Sequence, residues 1–161
     1  IRHILGIISH KTFLYDNLTA FENLLFYAHL YNINDIKARI NTVLNIVDLS
    51  ESKDVLVKTF SHGMQQRLSI ARCILHDPSI ILCDEPYTGL DQNSSNNLTE
   101  LLRSMSCSGS TILMITHNLH NVLELSDNLI ILHKGKIAAQ QPIINHSINE
   151  LTQQYNEIIN T

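Results

Sequence analysis

Ser79-Ile80-Ile81-Leu82-Cys83-Asp84-Glu85-Pro86 is the stretch on which the reading of the fold turns: an apolar run that stops abruptly on two adjacent carboxylates. Ile80, Ile81, Leu82 and the small thiol Cys83 suit a strand covered on both faces, as parallel strands of α/β proteins are. In an open α/β sheet, ligands collect outside the carboxyl ends of the strands, which is where Asp84 and Glu85 fall. Consecutive strand residues point opposite ways, so the two carboxylates need not share a task. The plainer reading of the same eight residues is a strand followed by an acidic turn.

Immediately upstream, Phe60-Ser61-His62-Gly63-Met64-Gln65-Gln66-Arg67 leads into Leu68, Ile70, Ala71, Ile74 and Leu75 at helical spacing. Ser61 is a natural N-cap, worth about 1 kcal/mol. Asp77-Pro78 closes the helix, because the residue before proline is pushed away from helical geometry. The start of such a helix offers open backbone N–H groups and a partial positive charge, to which Ser61 adds a hydroxyl and Gly63 a close backbone approach. That combination suits a phosphate; it also suits an ordinary Ser-capped helix with a loop glycine.

Further upstream, residues 3–8 read as an apolar strand and 9–18 as a polar and aromatic loop. Thr19 opens a helix with a capping box, since Glu22 can reach back to its amide. Phe21, Leu24, Leu25 and Ala28 form the apolar stripe of that helix. A second helix is predicted over 34–49, with Ile36, Ile40, Val43, Leu44 and Val47 on one face, and 50–59 reads as a loop with a short helical turn. Downstream, Gly89-Leu90-Asp91 turns the chain into a helix over 92–106, and Ser108-Gly109-Ser110 breaks it. Residues 111–116 form a third buried strand ending on His117, then a brief helix covers 119–125. A strand over 128–133, the turn Lys134-Gly135 and a partner strand over 136–140 follow. Ser147 with Glu150 repeats the capping-box pattern for a final helix. Alternating strands and helices without internal repeats make the class α/β and layered.

The totals narrow what such a domain does. The 161 residues fit one domain, and a composition 44% hydrophobic and 16% charged describes a globular chain rather than a disordered one. A net charge of -4 with no Lys/Arg cluster argues against nucleic acid as the main partner. Cys73, Cys83 and Cys107 form no C-x-x-C pair, which favours reduced thiols and a cytosolic setting over a disulfide framework or zinc site. No run approaches the length of a membrane span, so a membrane role has to come through a partner. The chain opens inside a strand pattern, with Ile1 and no leading turn; it is expected to be the later part of a longer one.

In this order the motifs resemble the nucleotide-binding domain of ATP-binding-cassette (ABC) transporters, over nearly the whole chain. Phe60-Ser61-His62-Gly63-Met64 is similar to that family's signature, usually Leu-Ser-Gly-Gly-Gln, with Ser61 and Gly63 matching and Phe60, His62 and Met64 departing. Gln65-Gln66-Arg67 and Ala71-Arg72 resemble its continuation, Ile80 to Pro86 its Walker B element, Gly89-Leu90-Asp91 its D-loop and Ile115-Thr116-His117 its switch-histidine motif. His10 stands where the family places a Gln that links metal and water to the helical subdomain. The loop and helix over 9–24 resemble exporter-type cassettes, among them the haem exporter of cytochrome c maturation.

What the resemblance implies is one partial nucleotide-binding domain over 1–161: a three-layer, P-loop NTPase-like core with a mostly parallel sheet, and a small helical subdomain over about 19–76. It implies ATP and Mg²⁺ as cofactors, with Asp84 on the metal, Glu85 activating water, His117 on the γ-phosphate, and Ser61, Gly63, Met64, His10 and Asp91 around nucleotide. Its partners are a second nucleotide-binding domain, met head to tail, and a membrane subunit that holds the protein at the cytoplasmic face and is gripped through the helix near 19–32. A nucleotide cradle needs G-x-x-x-x-G-K-[ST]. The five glycines are Gly6, Gly63, Gly89, Gly109 and Gly135, and none fits that pattern. The isolated polypeptide is therefore expected neither to bind ATP tightly nor to hydrolyse it. In the family the strand leading into that cradle separates the strands corresponding to 111–116 and 128–133, so a gap is expected between them. Two other classes stay open: a non-catalytic remnant keeping only its contacts, and a translation- or DNA-maintenance-associated ATPase. For the latter, about 50 residues between His10 and Ser61 leave no room for long coiled coils.

Overall fold

In the computed structural model, which describes residues 3–143 and 146–160, Ile80–Asp84 forms the central strand (β2) of a three-stranded parallel sheet. Leu5–Ile8 (β1) lies on one side, with Ile8 opposite Cys83, and Thr111–Ile115 (β3) on the other, with Ile115 opposite Asp84. The chain divides into two compact units, Ile1–Ile115 and Thr116–Thr161.

In the first unit, paired residues of a parallel sheet share a face, and the face carrying Ile8, Ile81 and Cys83 is buried under helices. His62–Ile74 (α3) packs against β1 so closely that a Cβ on Gly6 would stand 2.7 Å from Cys73 Sγ. Gln92–Cys107 (α4) packs on β3 and buries Leu98 and Leu102. The opposite face is different. Ile7, Ile80, Leu113 and Ile115 are exposed by 38, 36, 54 and 61% respectively. The expectations that β2 is covered on both faces and that β3 is buried are thus corrected: within this unit the sheet is covered on one face.

Ala20–Leu30 (α1) and Ile36–Ile46 (α2) pack on each other and on α3. The Thr19 capping box forms as the spacing predicts, with Thr19 Oγ1 accepting from the Glu22 amide at 3.1 Å and the Glu22 carboxylate accepting from the Thr19 amide at 2.8 Å. The second helix is shorter than its apolar stripe suggests. Asp35 and Asp48, at φ 51° and 53°, sit in the left-handed region and bracket it. Two arginines cap this pair reciprocally. Arg39 on α2 donates to the Leu75 and Ile74 carbonyls at the end of α3, at 2.8 and 2.6 Å, while Arg67 on α3 donates to the Val47 and Asp48 carbonyls at the end of α2, at 3.2 and 3.0 Å. Carbonyls orphaned by helix ends are thereby satisfied. Between α2 and α3, residues 50–59 carry two short 3₁₀ turns, Ser50–Ser52 and Val57–Thr59.

The second unit has its own small core. Leu119–Leu125 (α5) leads to an antiparallel hairpin of Asn128–His133 (β4) and Lys136–Pro142 (β5), then to Ile148–Ile159 (α6) behind the predicted Ser147–Glu150 capping box. Val122, Leu129, Ile131 and Leu151 are buried together. β5 runs two residues past its predicted end because a bulge at Ile131/Leu132 shifts the register and pairing continues to Pro142. β3 pairs only with β2, and β4 only with β5, among the described residues.

Candidate functional site: an acidic strand end beside a helix N-terminus

Parallel pairing lines up the carboxyl ends of β1 and β2, so the first unit brings His10, Asp84 and Glu85 to one edge of the sheet. His10 is exposed, two residues beyond β1, in a bend where Ser9 Oγ donates to the Lys11 carbonyl at 2.9 Å. Asp84 is the exposed last residue of β2. Glu85 is half-buried at φ 47°, and its backbone N–H donates to the Ile115 carbonyl at 2.9 Å. A left-handed glutamate costs on the order of 1 kcal/mol. The chain thereby turns sharply at Glu85, off the line of the strand.

The loop after Glu85 meets the first turn of α3. Ser61 Oγ accepts the Met64 amide proton at 3.2 Å, so the hydroxyl proton stays available for an acceptor while the Met64 N–H is committed to the cap. Gly63 faces the Gly89 carbonyl oxygen, 3.3 Å from where its Cβ would stand. Asp91 caps α4 by accepting from the Ser94 amide at 2.7 Å, and these hydrogen bonds from Ser94 hold its carboxyl below the usual range. A structural duty thus falls on a residue picked out for nucleotide. His117 lies in the second unit, exposed, between Thr116 and Asn118, whose amide donates to Thr116 Oγ1 at 3.1 Å.

Four residues make contacts that no motif foretold. Gln66, 2% exposed, donates its side-chain N–H to the Pro86 carbonyl at 3.3 Å and ties α3 to the loop behind Glu85. His62 lays its ring on Gly89. Arg72, 7% exposed, donates to the Ile7 carbonyl at 2.8 Å and stands 5.4 Å from the ring centres of Phe13 and Tyr27. Asn23, fully buried, accepts from the Tyr15 amide at 2.8 Å and donates to the Tyr15 carbonyl at 3.0 Å, fixing the loop that carries His10. Asn23 lies off the apolar stripe read from the sequence, and nothing local marked it.

As a chemical environment, this edge is acidic and open on one side, with hydrogen-bond donors close by. No group of three His, Cys, Asp or Glu residues suited to a metal occurs among the described residues. A lone strand-end carboxylate fits an ion of the Mg²⁺ kind, which keeps waters and shares its ligands with substrate phosphates. The thiols take no part: burial pushes Cys73 and Cys83 up to about 12, and Cys107 is exposed on α4.

An acid pair at the end of a parallel strand and a capped helix beside the following loop define an α/β protein of the P-loop NTPase kind. The chain belongs to the ABC transporter family, whose model matches residues 1–88. It is 41% identical over 129 residues to the ABC transporter ATP-binding protein NatA of Bacillus subtilis (strain 168), covering 79% of this chain and 52% of that protein. It is 34% identical over 143 residues to the Nod factor export ATP-binding protein I of Neorhizobium galegae, covering 88% of this chain and 41% of that one. The chain thus spans about half the length of these relatives. Among solved structures, an ATP-binding subunit of an ABC transporter superposes with a TM-score of 0.86 at 26% identity, over 96% of this chain and 69% of that one. A dimeric ATP-binding cassette bound to ADP and Pi in a post-hydrolysis state shares the fold, with a TM-score of 0.79 at 23% identity over 88% and 64% of the two chains. Among the described residues no helix is long and apolar enough to cross a membrane.

Proposed function

We propose that this chain carries the hydrolytic strand end and the signature helix of the ATP-hydrolysing subunit of an export-type ABC transporter. The observation that carries the reading is the meeting of Asp84 and Glu85, at the carboxyl end of β2, with a loop packed on the N-terminus of α3. In this reading Asp84 holds Mg²⁺, which when bound screens the phosphate charge. Glu85 takes the proton of the attacking water. Glu85 suits that task by its place, since the chain turns at φ 47° directly after the strand end that carries Asp84. His10 orients water from the end of β1, and His117 donates to the γ-phosphate.

Ser61 and Gly63 meet the nucleotide of a second copy through the hydroxyl proton and the helix-start amides. Hydrolysis then requires a head-to-tail dimer; that a neighbour of the same fold, bound to ADP and Pi, is dimeric supports pairing as such. A membrane subunit is assigned to the exposed aromatic rim of Phe13, Tyr15 and Phe26, where the Tyr15 and Phe26 rings pack edge to face at 5.1 Å. This keeps the protein on the cytoplasmic face of a membrane. The word "export" in the name of the Neorhizobium relative supports the direction. The haem-exporter reading rests on the loop and first helix alone and gains no support from the relatives named above.

Glu85→Gln in the full-length protein tests the assignment by phosphate release. Turnover should fall by about 10² to 10⁴, the range for a lost general base, with ATP binding retained. Unchanged turnover removes Glu85 from the role.

A further inference from the structure

The first turn of α3 and the loop 85–91 touch at three places, and one has no counterpart in the family pattern that the signature resembles. Gln66 reaches the Pro86 carbonyl, and Gly63 faces the Gly89 carbonyl. The third contact is the His62 ring against Gly89: a Cβ on Gly89 would fall 2.5 Å from His62 Nε2 and nearer still to Cδ2, inside any real contact distance. Gly89 also sits at φ 80°, a conformation L side chains rarely adopt. The backbone at 89 favours glycine, and any side chain there would displace the exposed ring of His62, 27 residues away. Where the usual signature has Gly after its Ser, this chain has His62.

We propose that His62 is a positioning residue whose ring, seated on Gly89, holds the loop that begins at Glu85 against the helix turn that begins at Ser61. The loop is short and internally bonded, with the Thr88 amide donating to the Glu85 carbonyl at 3.2 Å and the Leu90 amide to the Tyr87 carbonyl at 3.1 Å. A ring pressing on Gly89 is therefore felt at Glu85. The pose of the carboxylate then follows the state of the α3 N-terminus, so the anion that Ser61 meets influences the water that Glu85 faces. A glycine at 62 leaves that link to Gln66 and Gly63 alone. This inference deepens the function proposed above and, in its kinetic arm, rests on it.

Two measurements on the full-length protein separate the outcomes. The first needs no catalysis. His62→Ala keeps a good helix former at the start of α3, and amide hydrogen exchange at Thr88 and Leu90 should rise about threefold or more while the amides of α6 stay unchanged, as expected where a loop loses one packing contact. Equal exchange in wild type and His62→Ala overturns the proposal. The second is a double-mutant cycle read by ATPase rate. Gly89→Ala should lower kcat about tenfold with KM for ATP changed less than about twofold, and adding His62→Ala should restore about threefold or more, the residue being backbone strain at φ 80°. If the double variant is no faster than Gly89→Ala, strain alone explains the loss and the proposal is wrong. A wild-type protein with no ATPase activity would instead sink the proposed function, and the exchange measurement would still decide the role of His62.

Discussion

Ser61 is asked for two things that a single substitution can separate. As a cap it accepts the Met64 amide proton; as a ligand it would give its own proton to phosphate. Ser61→Ala should remove both, costing about 1 kcal/mol in urea unfolding together with activity. Ser61→Asp should keep the cap and stay within about 0.5 kcal/mol of wild type, because Asp ranks with Ser at this position. It should nonetheless depress ATPase activity by placing a negative charge where an anion is expected; full activity in Ser61→Asp would argue against phosphate at this helix. At this scale the sequence was informative where a residue's duty is local, as with Asp84 at the end of β2 and Ser61 at the start of α3. It was blind to the contact between His62 and Gly89, because a contact across 27 positions leaves no local pattern. The same blindness hid the left-handed turn at Glu85, which a glycine would have announced.

Helix starts were legible because caps are local: the Thr19 and Ser147 boxes and the Ser61 and Asp91 caps form as their spacing predicts or allows. Helix ends were less so, since Arg39 and Arg67 close α3 and α2 from across the helix pair. Beyond α3, His76 stacks on Tyr31, ring centres 3.9 Å apart at 13°, and its Nε2–H donates to the Leu5 carbonyl at 3.1 Å. Its Nδ1 is buried with no hydrogen-bond partner. Burial holds the His76 pKa below its ordinary value of 6.5, assisted by the Arg72 charge and by His3 and opposed by the Leu5 hydrogen bond and by Asp77. A pKa depressed by folding means the neutral ring contributes its stability fully above pH 6.5, and that stability is lost as pH falls below this value. The urea midpoint should therefore decline from pH 7 toward about pH 5.5, and His76→Gln should flatten the decline. An identical slope in the variant would place the titration elsewhere.

The sheet of the first unit shows what periodicity cannot report. Ile80, Leu82, Leu113 and Ile115 read as strand interior on both faces, and only the face under α3 and α4 is covered within the unit. An apolar pattern states what a residue prefers, not whether the covering layer is supplied by the same 161 residues. An exposed apolar face of this kind is expected to promote association. The polypeptide of this length should bind a hydrophobic dye and sediment above monomer mass, and Leu113→Thr with Ile115→Thr should reduce both while the unfolding free energy in urea stays within about 0.5 kcal/mol, as for exposed positions generally. If dye binding is unchanged, the face is not the sticky surface. The α/β class and the element order were readable from alternation; the strand order β1-β2-β3 was not, nor was the division after Ile115, because no linker-like composition marks it.

Cys73 and Cys83 lie sealed under the sheet, the first wedged beneath Gly6, while Cys107 stands in the open on α4. A maleimide meeting the intact polypeptide would gain one adduct at once and two more only at the pace at which α3 lifts from β1 and β2. Mass spectrometry of adducts against time would then clock the breathing of the acidic edge itself, with no engineered reporter.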